Sequence, residues 1–513
     1  LNSNHIVTEA VAKSGGGSSV KEPRVKILNG KPVVGRGMGF NGGGVFFMDT
    51  EGCLWIGGYT LSAHNNAGQL GMRKDYLQRP LRKIDMDYTS GVKDFGYIGG
   101  SSCFILMNDG RLYCWGNNAS GALAQNTTNP NAFATMVQVA GLWDEVSIAC
   151  TFGYNEVASM WYLRQKDTDN WFHVGTQYAG IFTSNPANTA NNLVPEPLVN
   201  PEGEVIDKLW LSSSSDGNLI CLTKSRKLFV VGRNINGSAS IGQNVEARTW
   251  TAMTGVPSVL TEQQAATIEF QFQSGFVGNK NQGEGRNMFM ILDGDVYSCG
   301  HNTYQTLGHP EADTINELKK IEGLPKIARM QSGHFGPMSN FALTADGDLW
   351  TWGYNESGES GQGNTTPVRE PVLLMQGVTD VFNRPAPISY GYRPMAHIKK
   401  ADGSILAAGW NRMNAMWLVD QTVTTDGIVN EYKETHWSAD IVFIEYSGAW
   451  GSTAYNTTFA YSEDGRIFTV GRSAPMMSKH TVIPQGLVDQ AVAEPLRYFC
   501  LLYTSPSPRD TRE

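Results

Sequence analysis

The sequence predicts an all-β fold, a β-propeller of seven or eight blades, on three observations. Glycine makes up 57 of the 513 residues, well above its usual share of ~7%. Short apolar runs separated by turn residues recur along the chain, as expected for many short strands. A hairpin unit built from two such runs repeats about every 59 residues, and radial repetition of a small antiparallel sheet is typical of a propeller.

Each hairpin unit consists of an apolar run, a turn, a second apolar run and a closing glycine. The clearest copies turn through Asp109-Gly110 and Asp346-Gly347. Asp-Gly tolerates the positive φ angles of a two-residue hairpin turn, so the flanking runs are predicted to be adjacent antiparallel strands. The runs are almost continuously apolar, which indicates that both faces of each sheet are covered. The other copies turn at Glu51-Gly52, Asp293-Gly294, Asp402-Gly403, Asp464-Gly465, Asp167–Asn170 and Lys224–Lys227.

The closing glycines are predicted to stand where strands crowd toward the central channel, because a residue without Cβ lets backbones approach closely. They are Gly58, Gly116, Gly175, Gly232, Gly300, Gly353, Gly409 and Gly471. Eight hairpins leave two alternatives open. Either the ring has eight blades, or it has seven and one terminal copy belongs to a shared closing blade.

A second signature follows several closing glycines, and it carries a family resemblance. Gly116, Gly300, Gly353 and Gly409 each begin a Gly-x-Asn sequence. The first hairpin copy, which closes at Gly58, is followed by Gly68-Gln69-Leu70-Gly71. Over residues 24–495 this pattern resembles the repeat of the regulator of chromosome condensation family. The resemblance implies a propeller, usually of seven blades, that closes by pairing its two ends. For the founding members it implies nucleotide exchange on a small GTPase together with chromatin binding.

Three regions are predicted along the chain. Residues 1–23 are predicted to be a flexible N-terminal segment, on account of the Gly/Ser-rich stretch at 14–19. Residues 24–499 are predicted to form the propeller. Residues 500–513 are predicted to be an artefactual tail, because Cys500–Asp510 reads like a translated sequencing adapter.

Charge and motif content argue against several functions. The net charge is −8 and only 17% of residues are charged, so we expect no nucleic-acid partner. No apolar run is long enough for a membrane span. No metal-ligand spacing or catalytic motif occurs, and the Gly37–Gly42 match to a phosphate loop precedes a strand of the repeat. We therefore expect no cofactor, no metal site and no enzymatic activity.

Candidate binding residues lie in the loops just after the closing glycines. Loops on a rigid scaffold often carry recognition, and Tyr, Trp and Arg dominate binding hot spots. The candidates are Tyr59, Arg233, Tyr304, Tyr354, Trp410, Arg412 and Trp417. The expected partner is a protein or a cell-surface ligand.

The functional prediction is a non-enzymatic binding scaffold that recognises its ligand through its loops. One version places it on a phage virion or tail, or on a cell surface as an adhesin, which would give a virion or extracellular location. The alternative is a guanine-nucleotide exchange factor-like regulator of a small GTPase, as the family resemblance implies. The negative net charge weakens the chromatin-binding part of that alternative.

Overall fold

The computed structural model has eight blades of antiparallel strands arranged as a β-propeller. The structure describes residues 4–9, 23–36, 44–59, 78–98, 102–116, 118, 121–128, 133–148, 160–175, 191–212, 218–232, 234–274, 286–302, 305–310, 314–332, 339–384, 394–411, 414–420, 422–423, 427–448, 456–471 and 480–482. Blades are numbered 1 to 8 in chain order below.

Blade 1 is the least regular of the eight sheets. Its main sheet has three strands, and a small hairpin packs beside it through isolated bridges at Val25 and Val34. The strands up to this point in the chain are β1 Asn4–Glu9, β2 Ile27–Leu28, β3 Lys31–Pro32, β4 Gly44–Met48, β5 Leu54–Tyr59 and β6 Gln78–Lys83. Strands β2 and β3 form the hairpin, whereas β1 belongs to the last blade.

Blades 2 to 4 are regular four-stranded meanders in which each strand pairs with the next. Their strands are β7 Val92–Ile98, β8 Ser102–Met107, β9 Leu112–Gly116, β10 Phe133–Val139, β11 Trp143–Ile148, β12 Met160–Gln165, β13 Trp171–Gly175, β14 Asn192–Pro197, β15 Ile206–Leu211, β16 Asn218–Thr223, β17 Leu228–Gly232 and β18 Ala247–Ala252.

Blades 5 to 7 have the same meander topology. A short helix, α1 Glu262–Thr267, precedes them and begins with a capping box between Thr261 and Gln264. Their strands are β19 Glu269–Ser274, β20 Arg286–Leu292, β21 Asp295–Gly300, β22 Ile315–Lys320, β23 Arg329–Ser332, β24 Ser339–Leu343, β25 Leu349–Gly353, β26 Val368–Met375, β27 Val378–Arg384, β28 Met395–Lys400, β29 Ile405–Trp410 and β30 Ile428–Glu434.

Blade 8 joins both ends of the described chain. It combines β31 Ile441–Gly448, β32 Asn456–Ser462 and β33 Ile467–Gly471 with β1 and β34 His480–Val482. Strand β1 pairs antiparallel with β33 on one side and with β34 on the other. The segment predicted to be flexible over residues 1–23 therefore contains a strand of the closing blade, and the ring has eight blades.

The hairpin turns have the backbone that Asp-Gly sequences favour. In blade 5, Asp293 has a φ of 51° and Gly294 a φ of 78°, as in a type I′ turn between two strands. The turn of blade 4 lacks glycine, and there Arg226 takes a φ of 63°.

The closing glycines lie away from the axis, so their predicted place at the central channel is wrong. The first strands of consecutive blades contact one another, so the first strand of each blade lies nearest the axis. The closing glycines are at the ends of third strands, which lie two strands farther out. Six of them have φ between 98° and 140°, and pairing with the fourth strand is irregular beside them. A repeated bulge with positive φ is what selects glycine there. The six are Gly116, Gly175, Gly232, Gly300, Gly353 and Gly409.

Apolar clusters fill all eight seams between consecutive blades. In β8, Phe104 and Leu106 pack into the seam with blade 3, while Cys103 and Ile105 pack into the seam with blade 1. This explains the continuous apolar runs, because both faces of a blade are buried. The seam between blades 8 and 1 is closed by a cluster of Val25, Val45, Phe47, Phe459, Tyr461 and Ile467.

Candidate interaction surface

The ring has two different ends. The turn face carries the hairpin turns that join the second and third strands of each blade. The loop face carries the closing glycines and the Gly-x-Asn loops. The binding residues predicted from the sequence follow the closing glycines and so belong to the loop face.

The Gly-x-Asn loops are held closed by their own asparagines. Asn118 is fully buried; its Oδ1 accepts a hydrogen bond from the Leu123 N–H at 2.9 Å, and its Nδ2 donates to the Thr127 carbonyl at 2.7 Å. One side chain thus bonds two distant points of the loop and makes it rigid. The same bond to the N–H five residues later is made by Asn234, Asn302, Asn355 and Asn411.

The Gly-x-Asn loops also pack against the fourth strand of the next blade. A Cβ on Gly121 would lie 2.4 Å from a Leu193 side-chain atom, and one on Gly358 would lie 2.6 Å from the Asn430 Cα. Both glycines have a φ of 75°, so the loop conformation and the close approach both require glycine. These loops therefore serve as contacts between blades.

Two of the predicted binding residues are buried. Trp417 is 5% exposed, and its ring meets Trp437 edge-on with centroids 4.6 Å apart in a cluster between blades 7 and 8. Tyr354 is 4% exposed, and its hydroxyl donates a hydrogen bond to Glu356. Neither ring is available to a ligand, because both side chains are almost completely buried.

Of the remaining predicted residues, the structure describes the side chain of Trp410. Trp410 ends β29 and is half-buried, and Tyr59 ends β5 with a side chain outside the described residues. Arg233, Tyr304 and Arg412 also lie outside the described residues. A binding role stays a prediction for these five.

The turn face carries two adjoining depressions over blades 6, 7 and 8, called the blade 6–8 depressions below. Their volumes are about 480 and 400 Å³, and both are bordered by Thr379 and Ala401. A Cβ built on Gly377 or Gly30 at their rims would meet no atom within 4 Å, so the backbone is uncovered there. Further lining residues are Ala328, Arg329, Asp346, Gly347, Asp380, Lys399, Lys400, Gly403, Ala439 and Val442.

Three basic residues line the blade 6–8 depressions. Arg329 forms an ion pair with Asp380 at 2.7 Å across the seam between blades 6 and 7. Lys399 donates from Nζ to the carbonyls of Ala439 and Ile441 at 2.9 and 2.6 Å. Lys400 lies 3.4 Å from Asp402. Two of the three basic side chains thus pair with carboxylates, and the third donates to main-chain carbonyls.

The acidic turn beside Lys400 is fixed in its ionised form. Hydrogen bonds from the hydroxyl and the N–H of Ser404 lower the pKa of Asp402, and Lys400 lowers it further. The carboxylate therefore stays charged at neutral pH and orients the turn of blade 7 at the edge of the depressions.

Charged pairs also cross other seams of the turn face. Arg36 of blade 1 pairs with Asp94 of blade 2, Lys93 of blade 2 lies 3.4 Å from Asp144 of blade 3, and Lys224 lies 2.5 Å from Asp169. Exposed pairs of this kind contribute only ~0–1 kcal/mol each. They place oppositely charged side chains at the seams between blades.

Reactive or metal-binding chemistry is not evident in the part of the chain that the structure describes. That part holds no group of three His, Cys, Asp or Glu side chains able to bind a metal, and none of its helices could cross a membrane. Burial raises the pKa of the Cys114 and Cys299 thiols and lowers the pKa of His173 and His397 to about 4. The two thiols are therefore protonated and unreactive at neutral pH, and the two imidazoles are uncharged.

A family model for the regulator of chromosome condensation (RCC1) repeat matches residues 96–122. These residues run from β7 through β8 and β9 into the Gly-x-Asn loop held by Asn118. The matched unit therefore contains the hairpin, the closing glycine and the loop that recur around the eight-bladed ring. The chain is an RCC1-like β-propeller.

The sequence relatives of this RCC1-like propeller are distant. The mouse E3 ubiquitin-protein ligase HERC2 is 22% identical over 334 residues, which are 64% of this chain and 6% of HERC2. The Ultraviolet-B receptor UVR8 of Arabidopsis thaliana is 22% identical over 318 residues, which are 54% of this chain and 68% of the receptor. The chain thus spans about 6% of the length of HERC2.

Two solved structures similar to the RCC1-like propeller are yeast RCC1 (Prp20) bound to Kap60 and human WBSCR16. The first has a TM-score of 0.48 at 13% identity and covers 95% of this chain and 100% of Prp20. The second has a TM-score of 0.47 at 16% identity and covers 73% of this chain and 91% of WBSCR16.

The blade 6–8 depressions were not found from the sequence. Lys399 and Lys400 directly precede the Asp402-Gly403 turn, where they look like ordinary solvated charges. Arg329 is 70 positions earlier in the chain, and only the packing of blade 6 against blade 7 brings it to the same site. A basic pair beside a hairpin turn was the one available signal.

Proposed function

We propose that this chain is a non-enzymatic protein-binding scaffold that holds an acidic segment of its partner in the blade 6–8 depressions. The observation that carries the proposal is the grouping of Arg329, Lys399 and Lys400 around two adjoining depressions in a chain of net charge −8. Local charge opposite in sign to that of the whole chain favours a partner of complementary charge.

Three basic side chains line the depressions against two acidic ones, Asp346 and Asp380, which leaves an excess of one positive charge. Asp380 is neutralised by Arg329 at 2.7 Å. The two contacts of Lys399 are with uncharged main-chain carbonyls, so they leave the charge of its ammonium uncompensated. The open backbone at Gly377 and Gly30 adds room for an extended segment to lie against the rim, a common mode of peptide recognition.

A charge-reversal experiment tests the proposal. A library of fluorescein-labelled acidic peptides, each matched with a version carrying Lys in place of Asp and Glu, is titrated with the protein. We expect acidic members to bind, and the double variant Lys399→Glu/Lys400→Glu to raise their Kd by ~10-fold or more. The other consecutive lysine pair, Lys319–Lys320 on β22, supplies the matched control Lys319→Glu/Lys320→Glu, which should bind like the wild type.

Two outcomes of that titration would overturn the proposal. One is equal binding of acidic and basic peptides, and the other is an equal loss of affinity in both double variants. Circular dichroism of each variant establishes that the ring is folded before binding is compared.

The alternative of nucleotide exchange on a small GTPase remains a prediction. It is tested by release of a fluorescent GDP analogue from a loaded small GTPase with and without the chain, and acceleration would support it. The predicted placement on a virion or a cell surface likewise remains a prediction. Binding of the labelled chain to intact cells and to purified phage particles would test it.

A further inference from the structure

Blade 6 buries a carboxyl group inside its Gly-x-Asn loop. Glu359 follows the loop asparagine by four positions and is 0% exposed. The equivalent positions of blades 2, 4, 5 and 7 hold Ala122, Ser238, Thr306 and Ala415. In the other four loops this position is small and uncharged, so an ionisable group here distinguishes blade 6.

The Glu359 carboxyl group is enclosed by polar groups of its own loop and of β24. The Ser339 hydroxyl lies within hydrogen-bonding distance of both the Tyr354 carbonyl and the Glu359 Oε1, the latter at 3.1 Å. A hydroxyl has one proton, and a carbonyl can only accept. The Ser339 hydroxyl therefore shares its one proton between the Tyr354 carbonyl and the Glu359 carboxyl group. The other carboxyl oxygen of Glu359 accepts from the Ser357 N–H at 3.2 Å.

The loop that contains Glu359 is the contact between blades 6 and 7. The Gly363 N–H donates to the Asn430 carbonyl at 2.8 Å, and the Asn430 side chain donates to the Gly363 carbonyl at 2.9 Å. The Tyr432 hydroxyl of β30 donates to the main-chain carbonyl of Glu359 at 2.9 Å. A change in the protonation of Glu359 would therefore alter the contacts of its loop with β30, the fourth strand of blade 7.

We propose that Glu359 is a proton-dependent latch between blades 6 and 7. As a neutral acid it holds the loop through Ser339 and keeps Tyr432 and Asn430 in contact with blade 6. Loss of its proton leaves a charge in a buried site and loosens the seam.

The surroundings of Glu359 disfavour its charged form. Burial raises its pKa to about 8, against the hydrogen bonds from the N–H groups of Glu359 and Ser357 and from the Ser339 hydroxyl, which lower the pKa; the charge of Glu356 adds to the rise. Strand β24 contributes the uncharged Ser339, and strand β30 contributes Tyr432 together with Glu431 near Gly363. A glutamate in the unfolded chain or the open seam titrates near 4.5. The latch therefore stabilises the seam fully below about pH 4.5, and this stabilisation is lost as pH rises to about 8.

Hydrogen–deuterium exchange between pH 5 and pH 9 tests the latch on the whole chain. The readout is protection of residues 354–363 and 428–434, corrected for the intrinsic pH dependence of exchange. In the wild type we expect protection to fall by ~10-fold per pH unit up to about pH 8. In Glu359→Gln and in Glu359→Ala, which copies blades 2 and 7, it should vary little. Glu434→Gln, an exposed carboxylate at the end of β30, is the matched control and should follow the wild type.

The proposal is overturned if the wild type keeps constant protection across this range, or if both Glu359 variants lose protection as the wild type does. Two variants are used so that one remains informative if the other does not fold. No partner is added, so the result is independent of whether the blade 6–8 depressions bind an acidic segment.

Discussion

The asparagine of each Gly-x-Asn loop acts on the backbone of its own blade. A buried carboxamide that bonds both an N–H and a carbonyl satisfies two main-chain groups that water cannot reach. Asn118 does this for Leu123 and Thr127. Because the loop packs on the next blade, the asparagine also fixes the seam.

Replacement of this asparagine should therefore be costly. We expect Asn118→Ala to lower the free energy of unfolding by ~2–4 kcal/mol, since two main-chain groups lose their partner in a buried site. The measurement is the urea midpoint. Asn170→Ala, in the exposed hairpin turn of blade 3, is the control and should change the midpoint little; equal shifts in both variants would contradict the role assigned to Asn118.

At the scale of elements, blades 1 and 2 are joined by main-chain hydrogen bonds as well as by apolar packing. The Arg36 N–H donates to the Phe95 carbonyl, and the Tyr97 N–H donates to the Arg36 carbonyl, both at 2.9 Å. This makes a parallel bridge between Arg36 and Gly96. A Cβ on Gly96 would lie 2.2 Å from the Arg36 carbonyl oxygen, so the bridge depends on a glycine in β7.

We expect Gly96→Ala to force these two segments apart and to destabilise the protein by ~3 kcal/mol. The control is Gly203→Ala, where a φ of 70° strains alanine but a Cβ meets no atom within 4 Å. Its cost should be only ~1–2 kcal/mol. Thermal unfolding of the two variants measures the difference in stability. A smaller loss of stability for Gly96→Ala than for Gly203→Ala would contradict this role of Gly96, because the seam between blades 1 and 2 would then accept a Cβ without cost.

At the scale of the whole molecule, the ring is closed by strands that come from opposite ends of the chain. Strand β1 lies between β33 and β34 in blade 8, and blades 8 and 1 also share the cluster around Phe47 and Phe459. Main-chain pairing and apolar burial thus act together at the closing seam.

Removal of residues 1–9 should open this closure. We expect a lower urea midpoint and a less cooperative transition, because β33 loses its paired neighbour and the ring gains an unpaired edge. Removal of residues 500–513, predicted to be an artefactual tail, is the control and should leave unfolding unchanged. Equal midpoints for the full chain and the chain without residues 1–9 would show that apolar packing alone closes the ring.

The hairpins, their period and their turn residues were predictable because each depends on neighbours a few positions apart. Asp293-Gly294 takes the backbone that its two residues favour, and β8 is apolar on both faces because both are covered. The choice between seven and eight blades was not predictable, because it depends on pairing between β1 and β33, which are more than 450 positions apart.

The candidate site depended still more on the packing of distant segments. The aromatic character of Tyr354 and Trp417 suggested recognition, yet both side chains are buried, Trp417 in the cluster between blades 7 and 8. The grouping of Arg329 with Lys399 and the burial of Glu359 follow from the same contacts between blades. Turn chemistry acts within a hairpin and can be read from adjacent residues. The burial of Trp417 and the grouping of Arg329 with Lys399 depend on contacts between neighbouring blades. Those contacts form only when the blades are packed side by side in the closed ring.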